Sequence, residues 1–242
     1  MTSLPIRFLP FETAAGASLM ATDEAMLNAA ANQGVASLRF YGWSEPTVSL
    51  GYFQPAAERV PGLPWVRRGT GGAMLVHHHE LTYALALPAG AVRLPENESW
   101  ICRMHHIIQG VILNHGKPTE AVTCGRERKL GDRLCFLHQT PGDVLADGHK
   151  IVGSAQRKSH GALLQHGGIL LSRSDHAPEL PGIREQLGLE FEPQSLALSI
   201  ADAFTASTGF VPTPTEWTMQ DDAERDRLIV EKYGNDDWNA KR

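Results

Sequence analysis

Cys135 to Leu171 reads CFLHQTPGDVLADGHKIVGSAQRKSHGALLQHGGILL, and the fold is read outward from here. Asp147-Gly148 is a hairpin turn signal between Val144-Leu145 and Ile151-Val152. Ser159-His160-Gly161 is a second break, before the apolar segment that starts at Ala162. The pattern predicts a β-meander that carries Lys150, with Cys135 on the element leading in. A thiol and an amine brought together by a sheet suit acyl transfer. The thiolate is the nucleophile, and a nearby ammonium lowers its pKa and can shuttle a proton. The residues alone leave a second reading open: such a cysteine is commonly a buried small hydrophobe, and a strand lysine is commonly solvated.

Upstream, Trp65 to Tyr83 reads WVRRGTGGAMLVHHHELTY. A short strand ends at Val66-Arg67-Arg68, a loop follows at Gly69-Thr70-Gly71-Gly72, and Ala73 to Val76 resumes as strand. Glycines there allow close backbone approach. With two arginines beside it, such a loop can offer N–H groups and cations to a phosphate or an oxyanion; solvated arginines flanking a tight hairpin are the alternative. It is neither a P-loop nor a dinucleotide fingerprint, since both spacings are missing. In a strand His77 and His79 share one face and His78 takes the other, which is too few ligands for a metal.

Around these segments the elements alternate. A helix is expected over Thr13 to Gly34, with Asp23 and Glu24 as solvated charges. Strands are expected at Ser37 to Tyr41 and Thr47 to Leu50. Trp100, Ile101, Met104, Ile107, Ile108, Val111 and Ile112 give a helical stripe over Glu98 to Asn114, with Cys102, His105 and His106 as passengers. Lys117 to Lys129 reads as a polar loop, and Asp175 to Pro193 as mostly loop. Late helices are expected from a serine cap at Ser195 to Thr208, and over Thr215 to Tyr233. The fold class is therefore α+β: one domain over residues 1–242, with a mixed, mostly antiparallel sheet flanked by helices.

The bulk numbers narrow the classes. The 242 residues are 42% hydrophobic and 20% charged, with net charge −5, which argues against nucleic acid as a partner. No apolar run is long enough to span a membrane, and no secretory signal is evident at the start. Three cysteines without CxxC spacing point to reduced thiols in a cytoplasmic protein.

Five stretches in this order resemble the lipoate–protein ligase and octanoyltransferase family, which shares its fold with biotin–protein ligases. They are ATDEAMLNAA, RFYGWSEPTVSLGYFQ, VRRGTGGAMLVHHHELTYAL, GHKIVGSAQRKSHGALLQHGGILL and EKYGNDDWNAKR. Ala73 stands where a third glycine is common, and three histidines replace a single one. The resemblance is closest to the cysteine-containing, ligase-like octanoyltransferases, and the chain is expected to end with the large domain. It implies transfer of an acyl group from acyl carrier protein, through an acyl-cysteine, to a lysine of a lipoyl domain such as glycine-cleavage H protein. Cys135 and Lys150 would be the catalytic pair, with no metal and no cofactor. Arg67, Arg68, Thr70, Gly71, Gly72, His77, Gly153, Ser154, Ala155, His166 and Gly167 would form the substrate site, with Arg67 or Arg68 meeting the carrier's phosphate. The alternative within the family is an ATP-dependent lipoate ligase, or its catalytic half, using ATP and Mg. A catalytically silent binding paralogue is the reading from another class.

Overall fold

In a computed structural model, which describes residues 4–91, 94–95, 98–131 and 134–242, the predicted meander forms one side of the main sheet. The chain enters through β1 (Leu4–Phe8) and β2 (Glu12–Ala14). Helix α1 (Gly16–Gln33) follows and ends where Gly34 turns left-handed at φ 70°. It begins later than expected, because Thr13 pairs with Gly42 in β2. Strands β3 (Ser37–Trp43), β4 (Thr47–Leu50), β5 (Trp65–Arg67), β6 (Leu75–His77) and β7 (Glu80–Leu87) come next. Then comes α2 (Trp100–Leu113), capped by the Ser99 hydroxyl, which accepts from the Cys102 N–H. The segment expected as a polar loop holds two short strands, β8 (Glu120–Ala121) and β9 (Arg128–Lys129).

Cys135–Leu137 is one 3-10 turn, leading to β10 (His138–Gln139). The meander itself is β11 (Val144–Ala146), β12 (His149–Ser159) and β13 (Ala162–Leu170). Its turns fall on the two sequence signals: Asp147 and Gly148 sit at φ 46° and 75°, and His160 and Gly161 at φ 47° and 81°. A short α3 (Ile183–Leu187) interrupts the region expected as loop. Helix α4 (Pro193–Thr208) is capped by Glu192 rather than Ser195, because the Glu192 carboxylate already accepts from the Gln194 and Ser195 N–H groups. β14 (Phe210–Pro214), α5 (Met219–Leu228), a π-turn over Ile229–Tyr233 and α6 (Asp236–Asn239) complete the order. Thr218 begins α5 with a capping box to Asp221, so the charged helix starts four residues later than its composition suggests.

The main sheet runs β14-β1-β3-β7-β13-β12-β11-β8, with β2 alongside β3. Pairs on the β1 side are parallel, and from β3/β7 onward they are antiparallel. A smaller sheet, β5-β4-β6, lies beside it. Strand β7 shows why both faces are covered. Leu81, Tyr83, Leu85 and Leu87 join the core under α2 and α4, while Ala84 and Ala86 face α1. A third cluster links the small sheet to Leu134 and Phe136, on either side of Cys135.

The expectation that Asp23 and Glu24 are solvated is overturned. Helix α1 is packed between the sheet and α5, so both carboxylates are buried. Burial alone would push the Asp23 pKa up, but Arg39 and the His166 hydrogen bond bring it below its ordinary 3.8. Burial likewise opposes the Glu24 charge, and hydrogen bonds from Lys232 and Tyr233 outweigh it.

Candidate active site

One cavity gathers residues from the glycine loop, the turn at Cys135 and the meander. Gly72, Cys135, Phe136, Gly153, Ser154, Ala155, His166 and Gly167 line it together with Arg68, Ser49 and His77. Met20, Tyr41 and Trp43 add apolar wall from the α1 side. The loop closes tightly. A Cβ on Gly51 would stand 1.9 Å from the Gly72 carbonyl oxygen, so β4 and the loop approach at a distance only glycine permits. Cys135 is fixed from the same side: its N–H donates to Met74 O at 2.7 Å, and Met74 bridges Leu134.

The arginines do not meet the expectation of solvated cations or of ready phosphate ligands. Arg67 is fully buried and donates to the carbonyls of Gly51, Tyr52, Gln54 and Asn239. It ties α6 to the turn after β4 and is not part of the cavity wall. Arg68 donates to Ser49 O, Ser49 Oγ, Gly71 O and Ala73 O at 2.8–3.1 Å, which holds the glycine loop. Five donors in a rigid fork suit that task.

Three hydroxyl–imidazole pairs sit in or just behind the wall. Carboxylates and carbonyls only accept, so the partner at each Nδ1 fixes the tautomer. His77 donates from Nδ1 to Glu80 Oε1, and its Nε2 takes the Ser49 hydroxyl proton, both at 2.7 Å. Burial lowers the His77 pKa, against the pull of Glu80, and its ring stacks on Trp43. His166 donates to Asp23 Oδ2 at 2.8 Å and bonds Thr70 Oγ1 at 2.7 Å; Asp23 in turn accepts from Arg39 and Tyr41. His105 donates to Gly142 O at 2.6 Å and accepts from Ser154 Oγ at 2.5 Å. Burial pushes the His105 pKa down to about 4, so its ring is neutral. Ser154 Oγ also accepts from the Tyr83 hydroxyl, which accepts from Gln165 Nε2. These protons point into the wall, so a site rich in polar residues can still offer an apolar interior.

Lys150 is buried, and it is not solvated. Its Nζ meets Asp143 Oδ2 at 2.7 Å and His138 O at 3.1 Å, and lies 5.2 Å from the centre of the Phe136 ring. It does not line the cavity, since Asp143 and His138 hold it one layer behind Gly153. A Cβ on Gly153 would stand 2.3 Å from Lys150 Cε, so glycine is required where the lysine passes the wall. Beyond Val152, β12 runs past Val144, the first residue of β11, and among the described residues no strand pairs with that edge. All three cysteines are free thiols; Cys124 is exposed on its loop, and Cys102 sits on α2 near Gly142.

The strand alternation expected of the three histidines fails, because β6 ends at His77. His78 and His79 lie in the following turn with their rings stacked 3.5 Å apart. Among the described residues no His, Cys, Asp and Glu cluster is arranged to hold a metal.

Sequence reading missed four members of this arrangement. His105 carried a usable signal, since it lies three and seven residues before Ile108 and Ile112 and so falls on the buried side of α2. Asp23 carried none beyond its neighbours' apolar character. Asp143 lies in a Pro-Gly turn, and Ser49 in a strand whose four residues are all buried, with no local mark of either pairing.

The profile of the Lipoyl protein ligase A/B catalytic domain matches residues 16–178. A relative called Octanoyltransferase LipM, from Symbiobacterium thermophilum, is 32% identical across 94% of this chain and 95% of its own. Another of that name, from an Exiguobacterium species, is 33% identical across the full length of both. Among solved structures, a putative lipoate protein ligase from T. acidophilum with bound lipoic acid superposes with a TM-score of 0.79. It is 20% identical and covers 99% of this chain and 100% of its own. Lipoate-protein ligase A bound with ATP also gives 0.79 at 20% identity, covering 98% of this chain and 99% of its own. At that identity the structures speak for the fold.

Proposed function

Because the chain belongs to the family of lipoyl protein ligase A/B catalytic domains, we propose that it is an octanoyltransferase that works through an acyl-cysteine. The donor is an octanoyl thioester on acyl carrier protein, and the acceptor is a lysine of a lipoyl domain such as glycine-cleavage H protein. Residues 1–242 act as one catalytic domain. The observation that carries this reading is the free thiol of Cys135 in the cavity wall, beside serine and threonine hydroxyls that are already committed to imidazoles.

In the first half-reaction the Cys135 thiolate attacks the donor carbonyl, and the carrier thiolate leaves. Backbone N–H groups of Gly71-Gly72 or Gly153-Ser154 receive the oxyanion. Met20, Trp43 and Leu75 offer apolar surface to the acyl chain, at about 0.8 kcal/mol for each buried methylene. In the second half-reaction the acceptor amine attacks the acyl-cysteine, approaching along the edge of β12 that β11 does not pair. Lys150, held by Asp143 behind Gly153, leaves that ion pair during turnover to exchange a proton with the departing thiolate and the incoming amine. The thioester is already activated, so no ATP is needed. Arg68 spends its Nη donors on the Ser49, Gly71 and Ala73 carbonyls and the Ser49 hydroxyl, which weakens its use as an adenylate ligand in the ligase alternative. Three free thiols suit the cytoplasm.

Mass spectrometry after incubation with octanoyl carrier protein tests the reading. One octanoyl group on Cys135, absent in Cys135→Ser and kept in Cys102→Ser and Cys124→Ser, is expected. Modification of a lipoyl domain by Cys135→Ser, given only ATP and free acid, would replace transferase by ligase.

A further inference from the structure

Two buried cations lie near the cavity, Arg68 in its wall and Lys150 behind Gly153, and they differ in one respect. Lys150 has a carboxylate partner, Asp143, at 2.7 Å, and both side chains are almost wholly inaccessible, so the pair is locally neutral. Arg68 is equally buried, and among the described residues its hydrogen bonds go to carbonyls and one hydroxyl, with no carboxylate ion pair. Carbonyl dipoles satisfy its N–H groups and leave its charge uncompensated. A buried charge without an opposite partner is costly.

The placement points to the use. Arg68 and Cys135 line the same cavity. Arg68 Nη2 holds Ala73 O at 2.8 Å, and the next residue, Met74, accepts from the Cys135 N–H at 2.7 Å. Loop, guanidinium and thiol are therefore positioned by one short run of backbone. Burial pushes the Arg68 pKa down, and the neighbouring acid that pushes it back up is Cys135.

We propose that Arg68 is the cation that holds the Cys135 thiolate before the thioester arrives, with Lys150 left to move protons during turnover. The assignment of the thiol as nucleophile rests on the transferase reading; the assignment of its cation does not. The thiol proton leaves to solvent, and the negative charge on Sγ sits in the field of the guanidinium. When Sγ bonds to the thioester carbon, that charge passes to the carbonyl oxygen. Collapse then expels the carrier thiolate, and electrons and atoms balance without another reactant. The other titratable groups around the cavity are already engaged. His77 and His166 are hydrogen-bonded at both ring nitrogens, Glu80 and Asp23 face those rings, and Lys150 faces Asp143.

The test is the pH dependence of iodoacetamide alkylation, in a Cys102→Ser/Cys124→Ser background where Cys135 is the remaining thiol. Removing a nearby opposite charge moves an ionisation by about one pH unit or more. Arg68→Gln should shift the alkylation midpoint upward by that amount, so that alkylation below the midpoint slows about tenfold. Arg68→Lys, which weakens the loop clamp but keeps the charge, should stay close to the parent. Lys150→Met/Asp143→Asn, which deletes the neutral pair, should leave the midpoint near the parent while transfer from carrier protein falls. An unshifted midpoint in Arg68→Gln, or an equal shift in Arg68→Lys, would overturn the assignment. So would a full-unit shift in the Lys150→Met/Asp143→Asn protein, a result that can be read even if Arg68→Gln does not fold. Absence of transfer by the parent protein itself, with these midpoints as expected, would count against the transferase reading alone.

Discussion

The two faces of the sheet are covered by helices built on opposite principles. Under α2 the contact is a stripe of Met104, Ile107, Ile108, Val111 and Ile112, all buried, against Leu81, Leu85 and Val152. Under α1 the strand residues shrink to Ala84 and Ala86, and charged groups fill part of the room. Asp23, Arg39, Tyr41 and His166 form one hydrogen-bonded group, and Glu24 meets Lys232, Tyr233 and Arg157. The apolar face supports the sheet, and the polar face reaches the cavity through His166. A face that holds a reactive site at its edge uses directional bonds to fix side chains, which nonpolar packing does less strictly.

The largest expected effect would come from Asp23→Ala. It removes the partner of Arg39, Tyr41 and His166 at once, and breaking one side of a buried ionic network costs about 3–5 kcal/mol. Urea denaturation should show that loss together with reduced transfer. Ile108→Ala on the other face should cost a comparable amount, about 2–5 kcal/mol, but leave the site groups paired. If Asp23→Ala unfolded no more readily than the parent, the charged face would have no structural role and the contrast would collapse.

A smaller effect is expected from His105, a polar exception on the α2 side. Its folded pKa is lowered from 6.5 to about 4. Below pH 6.5 the unfolded chain binds a proton that the folded chain refuses. The contribution is thus complete above pH 6.5 and lost as the pH falls toward 4, a loss of about 3 kcal/mol in all. Unfolding curves at pH 7, 5.5 and 4.5 should follow that slope, and His105→Gln should reduce it to the share of His77, whose pKa burial also lowers. Asp23 and Glu24, both lowered, lose their contributions only below their ordinary values of 3.8 and 4.5, so the two faces separate on a pH axis. A slope as steep in His105→Gln as in the parent would assign the window to another group.

The smallest effect is expected at Leu113, which is apolar, ends α2, and is 58% exposed. Leu113→Ala should change stability by no more than about 0.5 kcal/mol in the same assay. A loss beyond 1 kcal/mol would mean that the stripe extends past Ile112, so the measurement sharpens where the apolar face stops.

The contrast also explains what could be read in advance. α2 announces itself through period, and its start at Ser99 follows from a capping residue. The meander announces itself through Asp147-Gly148 and His160-Gly161, where positive φ values are needed. The glycine loop falls between β5 and β6 as its composition suggests. Asp23 and Glu24 looked like surface residues, because a charge on a helix is commonly solvated. Nothing within α1 says that α5 will close over it from almost two hundred residues away. Arg67 and Arg68 stood in the right loop, yet their carbonyl partners come from residues 49–54, 71–73 and 239, so their roles were not legible.

Local pattern by itself determined the long helices α2 and α4, the two hairpins, the glycine loop and the thiol–amine spacing, because turn chemistry and hydrophobic period act over a few residues. The tertiary structure decided which buried charges meet an opposite partner. Lys150 meets Asp143 across a hairpin, Asp23 is claimed by Arg39 and His166 from two strands, and Arg68, in the cavity wall with Cys135, bonds only carbonyls and a hydroxyl among the described residues. Net charge at a site is a sum over neighbours in space, and these neighbours meet only when the sheet has closed.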